Sequence, residues 1–346
     1  MNRRDSVIAF LAFCTVVFAI PYPAFAQSPN RMIRLGVLVA GTLEQRGDLD
    51  RALMEGLRVR GYVEGRNLVI ERRYGHEMSD RGMTENQMGD HGMTGQLPRF
   101  ARELADMKLD AIVTTCAPST HAAKNATSST PIIMASVSDP VGQGLVASLA
   151  KPGRNITGLS SQADELLPKR LELLASLLSP NTLVAVLANS ANAVHPPMWR
   201  KLQGTAERLK LRLMLVKTDD WAGLSAAFDA AIRARAEALF VLPDDPMAFN
   251  VRDRIVAFAA KHRMPDIYWA SEFVEAGGLL SYGANLRDSY LDATVYIDKV
   301  VKGAKPATLP VAQPTRFELV VNQKTAKSLG LAIPPSILLR ADRVIE

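Results

Sequence analysis

Short apolar runs and helically spaced apolar residues alternate along this chain. Residues 32–41, MIRLGVLVAG, form an apolar run that ends at Gly41 and predicts a buried strand. Over 48–60, Leu49, Ala52, Leu53 and Leu57 recur at helical spacing, and Gly61 marks the stop. Strand patterns follow at 67–74, 110–115, 131–136 and 156–160, with helical patterns at 97–107, 119–126 and 141–149. The alternation then begins again. A long helix is predicted over 164–178, then strands at 183–189, 212–217, 238–243, 266–270 and 277–283, with helices at 196–209, 221–235 and 247–262. A helix at 288–302, a strand at 316–322, a short helix and a strand at 338–345 complete the chain. Strands alternating with helices predict parallel sheets covered on both faces. Two such runs predict an α/β fold of two doubly wound, Rossmann-like lobes. In such sheets ligands sit beyond the carboxyl ends of the strands, where strand order reverses, so two facing lobes place the site in an interlobe cleft.

The first 26 residues stand apart from this pattern. Arg3 and Arg4 precede an apolar run over 7–20, and Ala24-Phe25-Ala26 is a small-x-small cleavage site, which predicts a secretory signal peptide cut after Ala26. Cys14 raises the question of a lipid anchor, but Phe13 before it is bulky and the apolar run continues past it. No later run reaches the ~20 apolar residues of a membrane span, so the mature chain is expected to be exported to the periplasm and not to cross the membrane. The formal net charge of +6 is spread out, with no basic block interleaved with aromatics, so nucleic acid is not an expected partner. Cys116 is the single cysteine after the leader, so the mature chain has no intrachain disulfide.

Residues 76–95, HEMSDRGMTENQMGDHGMTG, are a pentapeptide repeat with Met78, Met83, Met88 and Met93 in third position. A step of five turns a helix by roughly 140°, and in a strand it throws alternate side chains to opposite faces, so packing does not explain the spacing. The stretch reads as a surface loop, either a tolerated expansion or a soft-metal site. Thioethers favour Cu(I), and His76 and His91 add imidazoles to the four methionines.

Motifs of covalent chemistry are absent: there is no GxGxxG, P-loop, GxSxG or HExxH. Cys116 and His121 are a weak nucleophile–base pair, which leaves a secreted thiol enzyme as one alternative and a periplasmic copper-binding protein as another. The strand ends carry the ligand candidates. Thr42 follows the first strand. Ala117, Ser119 and Thr120 open a helix, where hydroxyls and free N–H groups suit a carboxylate, or where Ser119 simply caps. Asp139 either caps the next segment or faces the cleft. Asn189 follows one second-half strand, and Asp244 follows another, where its carboxylate suits an ammonium group. Asp245 competes as a helix cap. Tyr268, Trp269 and Tyr282 are possible aromatic walls, of which one or two belong to the core. No cofactor is expected, apart from the Cu(I) alternative.

Residues 136–160 (SVSDPVGQGLVASLAKPGRNITGLS), 277–286 (GGLLSYGANL) and 314–346 resemble substrate-binding proteins of ABC transporters, of the group handling tryptophan, tyrosine and related compounds. The resemblance runs from about Met32 to Glu346. It implies a type I periplasmic binding protein: two lobes, three hinge crossings and closure on a small solute, favoured here as an amino acid or aromatic carboxylate. It implies an N-terminal lobe of 27–160 plus about 286–315 and a C-terminal lobe of 161–285 plus about 316–346. It further implies that Ser119 and Thr120 lie on the ligand-carboxylate loop and that Asp139, Asn189, Asp244 and Tyr282 lie on loops around the cleft. A membrane permease and an ATPase are the implied partners. The Met repeat departs from the family pattern, in which a strand like 72–75 leads directly into a helix like 97–105.

Overall fold

The computed structural model describes residues 31–75, 95–219 and 221–346. The leader (1–26) and the metal candidates His76, Met78, Met83, Met88, His91 and Met93 lie outside the described residues. The first apolar run is β1 (Ile33–Val39). It pairs in parallel with β2 (Leu68–Tyr74) and β3 (Ala111–Thr114), and β4 (Ile132–Val137) and β5 (Ile156–Ser160) extend the sheet in the order β2-β1-β3-β4-β5. The second sheet contains β6 (Leu183–Asn189), β7 (Arg212–Thr218), β8 (Ala238–Val241), β9 (Asp266–Tyr268), β10 (Leu280–Gly283), β11 (Glu318–Asn322) and β12 (Arg343–Ile345), ordered β12-β11-β10-β9-β8-β6-β7. Its pairs are parallel except β10 with β11. Along β7-β6-β8-β9-β10 it repeats the order of the first sheet. Each sheet therefore reverses direction beside its own first strand, between β1 and β3 and between β6 and β8.

Helices cover both faces of both sheets, which is why the strands read as nearly unbroken apolar runs. On β6, Leu183, Ala185 and Leu187 enter one apolar cluster while Val184, Val186 and Ala188 enter another. The first sheet carries α1 (Leu43–Val59) and α10 (Leu286–Val301) on one face and α2 (Leu97–Asp106) and α3 (Ala117–Ala126) on the other. The second carries α6 (Trp221–Arg233), α8 (Arg252–Lys261) and α9 (Ser271–Glu275) on one face, with α4 (Leu167–Ala175), α5 (His195–Arg208), α11 (Gln323–Leu329) and α12 (Pro335–Leu338) opposite. Although α10 follows β10 of the second sheet in the chain, it packs on α1, β4 and β5. Ala312 then runs beside β5, bonded to Gly158 and Ser160, before β11 rejoins the second sheet.

Several expected elements differ. No helix forms over 141–149. Pro140 and Gly144, at φ +65°, hold turns there, and the N–H of Gly142 donates to Asp139 Oδ1 at 2.7 Å. The helix expected over 247–262 breaks at Val251 into α7 (Pro246–Asn250) and α8. The long helix expected over 164–178 is regular only along α4, and only the end of 338–345 is strand. The first helix begins earlier than its apolar spacing indicates, at Leu43. Thr42 caps it, with Thr42 Oγ1 accepting from the N–H of Gln45 and Gln45 Oε1 accepting from the N–H of Thr42.

Candidate functional site

The carboxyl ends of the two sheets meet. α7, which follows β8, reaches across to the end of β1, where Asn250 Nδ2 donates to Ala40 O at 3.1 Å and Gln45 Nε2 donates to Asn250 O at 3.2 Å. Gly41 makes this approach possible. Its φ is +144°, and a Cβ there would stand 2.7 Å from Asn250 Nδ2. The guanidinium of Arg46 on α1 lies 4.2 Å from the centre of the Phe249 ring on α7.

Two cavities lie along this seam. The smaller, about 40 Å³, is lined by Arg46, Thr115, Ser136, Asp244, Trp269 and Tyr290 among others. The larger, about 360 Å³, is lined by His121, Asp139, Gln143, Asp164, Met198 and Lys201 among others. Both draw residues from both lobes. Ser138, next to Asp139 of the larger cavity, bonds Asp244 of the smaller one: Ser138 Oγ donates to Asp244 Oδ2 at 2.7 Å and the N–H of Ser138 donates to the same oxygen at 3.3 Å. Gln143 Nε2 donates to Ser138 O, and Asn192 Nδ2 to Asp244 O at 2.8 Å, which ties both loops to the wall of the larger cavity. Asp139 and Asp244, the residues after β4 and β8, both have positive φ, 37° and 59°. Acidic residues tolerate this region better than most, because the short side chain bonds locally.

Burial dominates the electrostatics. It pushes the Asp244 carboxyl up to about 7, with Asp245 and Asp164 adding to the rise and the Ser138 hydrogen bonds opposing it. Burial likewise pushes Glu272 up to about 7, against the pull of Arg252 and Arg46. Tyr290 is pushed up to about 12, chiefly by burial. Asp245 is raised by burial against His195 and its own hydrogen bonds: Oδ1 accepts from Asn189 Nδ2 at 3.2 Å and from the N–H of Met247 at 3.0 Å.

A family profile described as ABC transporter substrate binding protein matches residues 75–345. The chain belongs to the ABC transporter substrate-binding protein family. It is similar to a tyrosine-binding protein of Clostridioides difficile, 25% identical over 292 residues that cover 84% of this chain and 79% of the relative. Among solved structures it is similar to an ABC domain from Streptococcus pneumoniae in complex with L-Trp, with TM-score 0.77, 25% identity, and 90% and 99% of the two chains covered. A conserved domain protein of Vibrio cholerae shares the fold at TM-score 0.78 and 24% identity over 91% and 100% of the chains. The fold is thus the two-lobed type I periplasmic binding protein fold that the resemblance implies. The family is one of substrate-binding proteins.

In this binding protein the residues expected at the strand ends divide into three groups. Asp244 lines the smaller cavity and Asp139 the larger one. Asn189 stands behind them, with its amide on Asp245 and its Oδ1 accepting from the N–H of Ala191 at 2.9 Å. The α3 loop turns its polar atoms inward: Ser119 Oγ accepts from the N–H groups of Thr115 and Cys116 at 3.1 and 3.2 Å, and Thr120 Oγ1 donates to Cys116 O at 2.8 Å. Ala117 is buried beside them, and Thr42 is engaged in its helix cap. Two of the three aromatics take the core reading. Tyr268 is not a cleft wall: it is fully buried, stacked 4.4 Å from Phe273, with its hydroxyl donating to Asp266 Oδ2 at 2.8 Å. Tyr282 packs against the second lobe's core near Phe317. Trp269 is the one of the three that lines the smaller cavity.

Cys116 borders the same cavity, but burial raises its thiol pKa and its sulfur contacts Ser119 Oγ. His121 bonds instead to Gln143 Oε1 at 3.2 Å. Sequence reasoning did not find Arg46, Thr115, Ser136, Phe249 or Tyr290. Among the described residues no group of three or more His, Cys, Asp or Glu is placed to hold a metal ion, and no helix is long and apolar enough to cross a membrane.

Proposed function

We propose that this chain is the solute-binding component of an ABC importer, exported to the periplasm by its leader. In this reading it captures an amino acid or aromatic carboxylate between its lobes and hands it to a membrane permease powered by a separate ATPase. The observation that carries the reading is the pair of interlobe cavities built from strand ends of both sheets, with the Ser138–Asp244 contact joining the two lobes beside them. With that contact opened, the two spaces run together into a cleft of the size small solutes occupy. Closure around a solute then shifts the population toward a state that a permease can read. The tyrosine-binding relative and the L-Trp complex support the ligand class.

Thermal unfolding of residues 27–346, stripped of co-purified solute, tests the proposal against a panel of amino acids and aromatic acids. A solute at ~100 times its dissociation constant adds roughly 2.7 kcal/mol. A clear rise in Tm with one panel member supports the reading, and a flat response across the panel rejects the ligand class. Cu(I) in the same screen, with a parallel variant lacking 76–95, tests the copper alternative. That alternative requires a shift that vanishes with the repeat.

A further inference from the structure

The resemblance assigns the solute carboxylate to the loop at Ser119 and Thr120, but the hydrogen bonds of that loop point elsewhere. The N–H groups of Thr115 and Cys116, which would otherwise meet an anion, donate to Ser119 Oγ. Ser119 Oγ also donates to Cys116 O at 3.0 Å, and Thr120 Oγ1 bonds to Thr114 Oγ1 at 2.8 Å. The hydroxyls of this loop are engaged within it.

The smaller cavity offers different donors. Arg46 Nε is buried without a hydrogen-bond partner, and Thr115 Oγ1 and the Tyr290 hydroxyl, buried and facing each other, meet no other partner. Their residues are 7%, 5% and 3% exposed, and all three line the same space. Buried polar groups are normally fully paired, so a guanidinium Nε with no partner beside two hydroxyls that have only each other marks a place built for a ligand. Arg46 makes no ion pair among the described residues, and Glu272, the carboxyl that acts on it, leaves Oε2 without a bond. The cavity also touches Asp244 and Asp245, but these already accept from Ser138, Asn189 and Met247. At about 40 Å³ it admits one carboxylate-sized group, a little more than one water's share of ~30 Å³.

We propose that Arg46, Thr115 and Tyr290 form the anion subsite of the cleft and take the solute's carboxylate in place of the Ser119–Thr120 loop. The inference rests on the solute-binding reading above. Arg46 supplies the charge, the two hydroxyls complete the oxygen contacts, and Phe249 beneath the guanidinium holds it in plane.

The test is calorimetric titration with matched acid and amide pairs: L-tyrosine and L-tyrosinamide, L-tryptophan and L-tryptophanamide, phenylacetate and phenylacetamide. The wild-type protein should prefer an acid over its amide by about 100-fold. Tyr290→Phe and Thr115→Val should each reduce that preference by about 10-fold, and Arg46→Gln should abolish it, lowering acid affinity far more than amide affinity. If Arg46→Gln does not fold, the two hydroxyl deletions decide. Variants that keep the wild-type acid-to-amide ratio overturn the subsite, as does a wild-type protein that binds amide and acid alike; solute binding survives either result. A wild-type protein that binds no member of the pairs takes down the carboxylate reading and the subsite together.

Discussion

Ser138 and Asp244 join the two lobes through one carboxylate oxygen, which accepts from both the hydroxyl and the N–H of Ser138. Ser138→Ala removes the shorter of the two bonds and leaves a buried carboxyl under-satisfied. The closed, ligand-free form should lose about 1–3 kcal/mol, seen as a lower urea midpoint, with an increased radius of gyration in solution scattering. An unchanged midpoint and radius would mean that the contact does not hold the lobes.

The same carboxyl gives the fold a pH response. Asp244 sits at about 7 in the folded chain against an ordinary value of 3.8, so the folded state binds its proton more tightly than the unfolded state. Its stabilising contribution is complete below the ordinary carboxylate range and is lost as pH rises through about 7. Glu272 and Asp266, also raised to about 7, act in the same direction. Tm of the solute-free protein should therefore fall between pH 5 and pH 8. Asp244→Asn should flatten part of that slope, and a slope identical to wild type would rule Asp244 out as a contributor.

Tyr268 and Trp269 are neighbours in sequence with opposite duties. Tyr268→Phe removes the bond to Asp266 and should cost about 1 kcal/mol of stability while leaving solute affinity unchanged. Trp269→Ala opens the wall of the smaller cavity and should cost about 3–5 kcal/mol as well as weakening binding at least tenfold. Paired denaturation and titration experiments separate the two; a Tyr268→Phe variant with impaired binding would put that side chain back in the cleft.

Cys116 should behave as a structural thiol. It is buried, and its pKa is raised. Iodoacetamide should label it in the native protein at least 100-fold more slowly than in urea, and Cys116→Ser should retain solute binding. Rapid native labelling that a solute blocks would revive the thiol-enzyme alternative.

The lobes were legible because parallel strands buried on both faces leave an apolar run that nothing else in a folded domain requires, as β6 does. The cleft residues were harder to read. Arg46 was hidden by a late helix start: apolar spacing alone begins the helix near Asp48. The sequence Thr42-Leu43-Glu44-Gln45 is itself a capping box, and it places Arg46 three residues before Leu49 on the buried face. Reading that cap would have exposed a buried arginine. Tyr290 has no comparable signal, because an aromatic at core spacing on α10 looks like any core residue until the opposite lobe is seen. The turns over 141–149 were masked by apolar residues at roughly helical intervals. There the backbone demands of Pro140, Gly142 and Gly144 outweighed the pattern: a Cβ at Gly142 would collide with the Asp139 carboxyl that its N–H bonds.

The late return of α10 to the first sheet, and of β11 and β12 to the second, sets an order of completion. The face of the first sheet on which α1 lies stays uncovered until residue 301 has been made, and the second sheet gains its last strands only with residues 318–345. The first lobe therefore cannot finish its core until β6 to β10 of the second have been made. For a chain proposed to be exported by its leader, this interleaving works as a timer: the polypeptide must be made as far as Val301 before the first lobe can close its core.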